Sequence, residues 1–95
     1  MNEREEIPSE ILEDIAYLSR TENRLNVLEI LTEKPRSTRA LREATGTSKA
    51  TVNRILNEFE ERSWTRRNSD GTYEATPQAE HIAFQLRPFV GSMEA

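Results

Sequence analysis

A chain of 95 residues with 13 basic and 17 acidic side chains carries a formal net charge of −4, and its length supports one domain whose small core calls for a partner subunit or a further region. It has no cysteine, which excludes a disulfide frame, a thiolate nucleophile and a cysteine-bound metal. No apolar run approaches the ~20 residues of a membrane span and the acidic, polar N-terminus resembles no signal peptide, so the chain is expected to be soluble and cytoplasmic.

Pro8-Ser9 is fit to open a first amphipathic helix over Pro8 to Leu18, with Ile11, Leu12, Ile15 and Leu18 at helical spacing. Glu3, Glu5, Glu6 and Glu10 lie before and within its first turn, where they complement the helix dipole. Thr21 caps a second helix that runs to about Lys34. Leu25, Leu28 and Leu31 form its inner stripe, Val27 and Ile30 widen it, and Pro35 ends it.

The next stretch, STRALREATGTSKATVNRILNEFEER from Ser37 to Arg62, reads as two helices joined by a tight turn. The first covers Thr38–Thr45. Gly46 then supplies a positive φ that other residues resist, and Ser48 can cap the second helix by accepting an orphan N–H. On that second helix Val52, Ile55, Leu56 and Phe59 fall on one side at i, i+3, i+4 and i+7, which is a core face. The opposite side shows Ala50, Asn53, Arg54 and Asn57, with Ser48, Lys49 and Thr51 near the start. Amide and guanidinium groups can make paired hydrogen bonds to base edges, and a methyl can meet a thymine methyl. A solvated helix face of the same composition is the alternative. Arg36 and Arg39, around the start of the preceding helix, are candidates for contact with DNA phosphates.

After Arg62 the period changes. Trp64 to Asn68, then Ser69-Asp70-Gly71, then Thr72 to Ala75 reads as strand, turn and strand, because Asp-Gly between two β-prone runs is a strong hairpin signal. Alternation along this two-stranded wing is expected to send Trp64 and Tyr73 toward the helices and to leave Arg66 and Arg67 near the tip. Thr76-Pro77 starts a last helix, on which Ala79, Ile82, Ala83, Leu86, Phe89 and Val90 form a stripe longer than a small core requires. Part of that stripe is expected to meet another surface. His81, the lone histidine, reads as a solvated or core residue.

Charge is unevenly distributed along this order. Residues 1–33 hold three basic and nine acidic groups, residues 34–67 hold nine and four, and residues 68–95 hold one and four. The positive charge therefore sits on the two turn-linked helices and the first wing strand, and local potential decides polyanion contact. The expected fold is mainly α with a small β-hairpin wing, a winged helix-turn-helix. Residues 1–20 form its N-terminal helix, 21–76 its core, and 77–95 a C-terminal helix. The expected function is sequence-specific reading of double-stranded DNA by a homodimer, with Ser48, Lys49, Ala50, Thr51, Asn53 and Arg54 in the major groove. Arg36, Arg39, Arg66 and Arg67 would lie on the backbone or minor groove, and Ile11, Ile15, Leu18, Ile82, Leu86 and Phe89 at the dimer contact. The competing function is a winged helix that docks proteins of the transcription machinery. Enzymatic activity is not expected, nor a cofactor or metal, because no Gly-rich phosphate loop, metal-ligand spacing or His partner is present.

The run RLNVLEILTEKPRSTRALREATGTSKATVNRILNEFEERSWTRRNSDGTYEATPQAE resembles the DNA-binding domains of archaeal transcription regulators, similar to the MarR and IclR type and most like those of salt-loving archaea. The resemblance covers about residues 21–80. It is carried by Arg24-Leu25, LREATGTSKATVNRIL, the FEERSW junction and the Asp-Gly turn leading to Thr-Pro. It implies that Ser48, Lys49, Ala50, Thr51, Asn53 and Arg54 face the major groove and that Arg66, Arg67 and the Ser69–Thr72 turn form the wing. Such domains often precede a separate regulatory region, which is expected here as well. One departure is that Arg66 and Arg67 follow Thr65 where the family commonly places a valine or similar residue.

Overall fold

Four hydroxyls set where four of the helices begin. Thr21, Ser37, Ser48 and Thr76 each accept the backbone N–H three residues on, from Arg24 at 3.3 Å, Ala40 at 3.1 Å, Thr51 at 3.1 Å and Ala79 at 3.2 Å. Each bond satisfies a donor that a helix start leaves orphaned. The computed structural model describes residues 9–94, with side chains described through Leu86. Pro8, Glu3, Glu5 and Glu6, and the side chains of Phe89 and Val90, lie outside the described residues. The element order is α1 (Ser9–Ser19), α2 (Glu22–Glu33), α3 (Thr38–Thr45), α4 (Lys49–Glu61), β1 (Thr65–Arg67), β2 (Tyr73–Ala75) and α5 (Pro77–Glu94). This is the expected winged helix-turn-helix.

Gly46 closes α3 at φ 68° and donates its N–H to the Arg42 carbonyl at 2.8 Å. A Cβ there would meet nothing within 4 Å, so the demand for glycine is a backbone demand, set by the left-handed conformation alone. The other end of α4 uses the same conformation without a glycine. Ser63 sits at φ 64°; its N–H donates to the Glu60 carbonyl at 3.0 Å, and the Trp64 N–H donates to the Phe59 carbonyl at 2.9 Å. That pair of bonds is a Schellman closure, and its usual apolar contact is made by the Phe59 and Trp64 rings, 5.3 Å apart edge to face.

β1 and β2 pair antiparallel with Thr65 opposite Ala75, Arg66 opposite Glu74 and Arg67 opposite Tyr73. Between them the Asn68 N–H donates to the Thr72 carbonyl at 2.7 Å and the Gly71 N–H to the Asn68 carbonyl at 3.0 Å, with Gly71 at φ 89°. A third segment joins the hairpin, since Arg36 and Tyr73 exchange both backbone bonds at 2.9 and 2.7 Å. At its base the Thr76 hydroxyl donates to the Ser63 carbonyl at 2.6 Å and the Thr76 N–H to the Trp64 carbonyl at 3.0 Å.

The core takes Leu18 from α1, Val27, Leu28 and Leu31 from α2, Leu41 from α3, all four expected residues of α4, Trp64, and Ala79, Ile82 and Leu86 from α5. Two expectations change here. Leu12, placed on the inner stripe of the first helix, is 51% exposed, and Tyr17 is buried on that helix instead. Trp64 and Tyr73 both reach the core, yet strand alternation does not put them there. Register makes Tyr73 share a face with Arg67, while Trp64 precedes β1 and is turned inward by the left-handed Ser63.

Candidate nucleic-acid interface

α4 buries Val52, Ile55, Leu56 and Phe59, and helical geometry forces the residues between them outward. Ser48, Lys49, Ala50, Asn53, Arg54 and Asn57 are exposed, while Thr51 is half-buried. Two of these are already occupied. Ser48 caps the helix and its hydroxyl also donates to the Thr51 hydroxyl at 3.0 Å, so both serve the helix start. Lys49 and Arg54 pair with no carboxylate among the described residues. Their charges stand on the outer surface of α4, available to an anion.

The four flanking arginines differ sharply. Arg39 is 84% exposed in the first turn of α3, with Glu43 one turn on at 3.4 Å. Arg36 is folded in: its side chain is 25% exposed, its Nη2 lies 3.7 Å from Glu33, and its Nε is buried with no hydrogen bond among the described residues. The backbone bridge to Tyr73 holds it there, beside the β2 residue that follows the wing turn. On β1, Arg66 makes a close pair with the opposite Glu74 through Nε at 2.7 Å and Nη2 at 2.6 Å. Arg67 has no such partner among the described residues and rests over the Tyr73 ring at 5.9 Å. Asp70 fixes the wing turn by accepting the Thr72 N–H at 3.0 Å and hydroxyl at 2.7 Å, and those bonds hold its carboxyl below the usual range.

Sequence reasoning missed two features. Arg42, exposed on α3 and unpaired with any described carboxylate, lines an open depression of about 460 Å³ with Arg39, Glu43, Gly46 and Thr47. The basic balance of residues 34–67 was the available signal. The second is a polar cluster behind α4. Tyr17 donates its hydroxyl to Glu58, and its ring lies between the guanidinium groups of Arg24 at 4.0 Å and Arg62 at 3.7 Å. Arg62 reaches back to Asp14 at 3.3 Å, and Arg24 Nη1 donates to the Tyr17 carbonyl at 2.8 Å. Burial, with the Glu58 bond second, pushes the Tyr17 phenol up to about 12. Burial also raises the Asp14 carboxyl, against the pull of Arg62. No spacing in the sequence joins residues 41 apart such as Tyr17 and Glu58.

The expected dimer contacts also need correction. Leu18, Ile82 and Leu86 are 0%, 4% and 4% exposed within this chain's own core, which leaves them no surface for a second subunit. Ile11 and Ile15 pack half-buried against that core, and the Phe89 side chain is outside the described residues. Among the described residues, the large apolar side chains that α1 and α5 do expose are Leu12 and Phe84, at 51% and 63%. Among the described residues no helix is long and apolar enough to cross a membrane.

Solved structures share this fold. The transcriptional regulator BldR from Sulfolobus solfataricus superposes with a TM-score of 0.68 at 20% identity, over 90% of this chain and 69% of its own. Tm0710, a transcriptional regulator from Thermotoga maritima, gives 0.67 at 17% identity over 90% and 67%. The adhesin competence repressor AdcR from Streptococcus pyogenes gives 0.67 at 13% identity over 93% and 77%. No curated protein matches the sequence. Identities this low speak to architecture alone. Kinship comes from the sequence itself, which fits a described family from residue 12 to residue 95: the chain belongs to the HVO_A0261 N-terminal domain family.

Proposed function

We propose that this chain is a transcription regulator that binds double-stranded DNA sequence-specifically as a cytoplasmic homodimer. The observation that carries the reading is the outer surface of α4. Lys49, Ala50, Asn53 and Arg54 are exposed there, and neither cation has a carboxylate partner among the described residues. Such a helix fits the major groove N-terminus first, with Asn53 and Arg54 matched to base edges and Lys49 to a phosphate. Arg67 on the wing and Arg39 and Arg42 on α3 supply backbone contacts on either side. The solved neighbours named as transcriptional regulators support the regulatory part.

One reader helix covers too few base pairs for useful discrimination, which is the physical reason for two copies on half-sites about one helical turn apart. Among the described residues, Leu12 on α1 and Phe84 on α5 are exposed large apolar side chains suited to such a contact. The test is selection of a random double-stranded DNA library on the purified chain. A two-fold symmetric enriched motif supports base reading and dimerisation together, and an absence of enrichment at every salt concentration removes both.

The exposed Leu12 and Phe84 also favour a second reading, a winged helix that docks proteins of the transcription machinery. Reversing charge with Arg54→Glu separates the two. A DNA reader loses binding, whereas a protein-docking domain keeps its partner.

A further inference from the structure

We infer that Tyr17 of α1 is a positioning residue that locks the angle between the reader helix α4 and the wing, an inference that rests on the DNA-binding reading above. Arg62 is the C-cap of α4, Ser63 follows in the left-handed conformation, and Trp64 leads into β1. A single residue thus forms the joint between helix and wing. Rotation about it would swing the hairpin relative to α4, because both neighbours lie on rigid elements.

Tyr17 touches both sides of that joint. Its ring carries the Arg62 guanidinium at 3.7 Å and packs edge-on against Trp64 at 5.8 Å and Phe59 at 6.4 Å. Its hydroxyl donates to Glu58, one turn before the cap, and Asp14 holds Arg62 at 3.3 Å from the same helix. The Arg24 guanidinium closes the opposite face of the ring at 4.0 Å. A planar ring between two guanidinium groups is attracted to both, and Tyr17 itself is only 8% exposed. DNA binding asks for α4 in the groove and Arg67 on the backbone at the same time. The side chain that fixes their relation belongs to neither element.

The test measures how binding of a mixed-sequence double-stranded DNA depends on salt, using the full chain. Each phosphate contact contributes about 0.9 to the slope of log affinity against log salt. In the unaltered protein, Arg67→Ala lowers the slope by about 0.9, and Arg54→Ala weakens binding by some factor. With Tyr17→Leu, which keeps an apolar filling and removes the stack, Arg67→Ala leaves the slope unchanged while Arg54→Ala weakens binding by the same factor as before. Tyr17→Phe restores the Arg67 effect because the ring remains. If Tyr17→Leu does not fold, Arg62→Met carries the same comparison. A drop in slope by the same amount, about 0.9, on Arg67→Ala in the Tyr17→Leu background, or in the Arg62→Met background when that stands in, overturns the positioning role and leaves the DNA reading intact. Silence of both Arg54→Ala and Arg67→Ala in the otherwise unaltered protein sinks the DNA reading and the positioning role together.

Discussion

Arg66 and Arg67 are adjacent in sequence and equivalent by composition, but their surroundings assign them different work. Arg66 is held by Glu74 on the facing strand, so its charge is already balanced, whereas Arg67 lies over an aromatic ring with no described carboxylate beside it. Arg67→Ala is therefore expected to flatten the salt dependence of DNA binding by about 0.9 and Arg66→Ala by distinctly less, read from affinities across a salt series. At the reader helix, Arg54→Ala should remove about 1–3 kcal/mol of discrimination at one base pair; competition between the selected site and its variant at that position is the check. The outward set on α4 was legible from the 3.6-residue period alone, because Val52, Ile55, Leu56 and Phe59 leave no other face for Asn53 and Arg54. Which arginines are free was not legible. That depends on strand register and on the Arg36–Tyr73 bridge, which pair residues far apart in the chain.

At the scale of elements, two left-handed residues end α3 and α4, and only one of them is glycine. Gly46→Ala is expected to destabilise the fold by about 1 kcal/mol, and Ser63→Gly to stabilise it by about 0.5–1 kcal/mol, since a Cβ is disfavoured in this conformation. Urea midpoints measured at unchanged m decide both. The glycine stop was readable, as glycine after a helical run is the commonest terminator. The end of α4 at Arg62 was readable too, from the change of period, but the left-handed turn at Ser63 was not, because it depends on the Phe59–Trp64 contact. The docking of α1 was misread for a related reason. An apolar stripe suggested Leu12 as a contact, yet α1 is seated by Leu18 and by the polar cluster around Tyr17. That cluster predicts a pH signature. The Tyr17 phenol, raised to about 12 in the folded chain, stabilises the fold fully below its ordinary value near 10. This contribution is lost as pH rises through the folded value. Tyr17→Phe should lack this alkaline loss, so the stability difference between the two proteins should change between pH 10 and 12, followed by denaturant titration at each pH.

For the whole molecule, an overall charge of −4 coexists with a basic middle third, and the fold gathers that basic segment onto α3, α4 and β1 while α1 and α2 carry the acidic excess. Nucleic-acid affinity is therefore expected to fall steeply with salt despite an acidic isoelectric point, because phosphate contact follows local potential. The contact proposed for a second subunit was the least legible part. Helical stripes locate apolar faces, but a stripe longer than one core cannot say which of its residues face inward, and Leu18, Ile82 and Leu86 proved to belong to the monomer. A second subunit should then depend on the surface positions. Leu12→Lys is expected to leave the isolated chain folded by circular dichroism and to shift its sedimentation toward the monomer.

Thr76 binds the Ser63 carbonyl through its hydroxyl and the Trp64 carbonyl through its N–H, so the wing is a loop whose two ends are fastened to each other before its tip begins. In entropic terms, the cost of closing such a loop rises only with the logarithm of its length, about 0.6 kcal/mol for each doubling. Extra residues placed at Ser69 to Gly71 would lengthen the reach of the hairpin along a DNA backbone and barely register in the stability of the helices below. The hairpin tip is thus a part of the molecule whose span can change while the reader helix stays where it is.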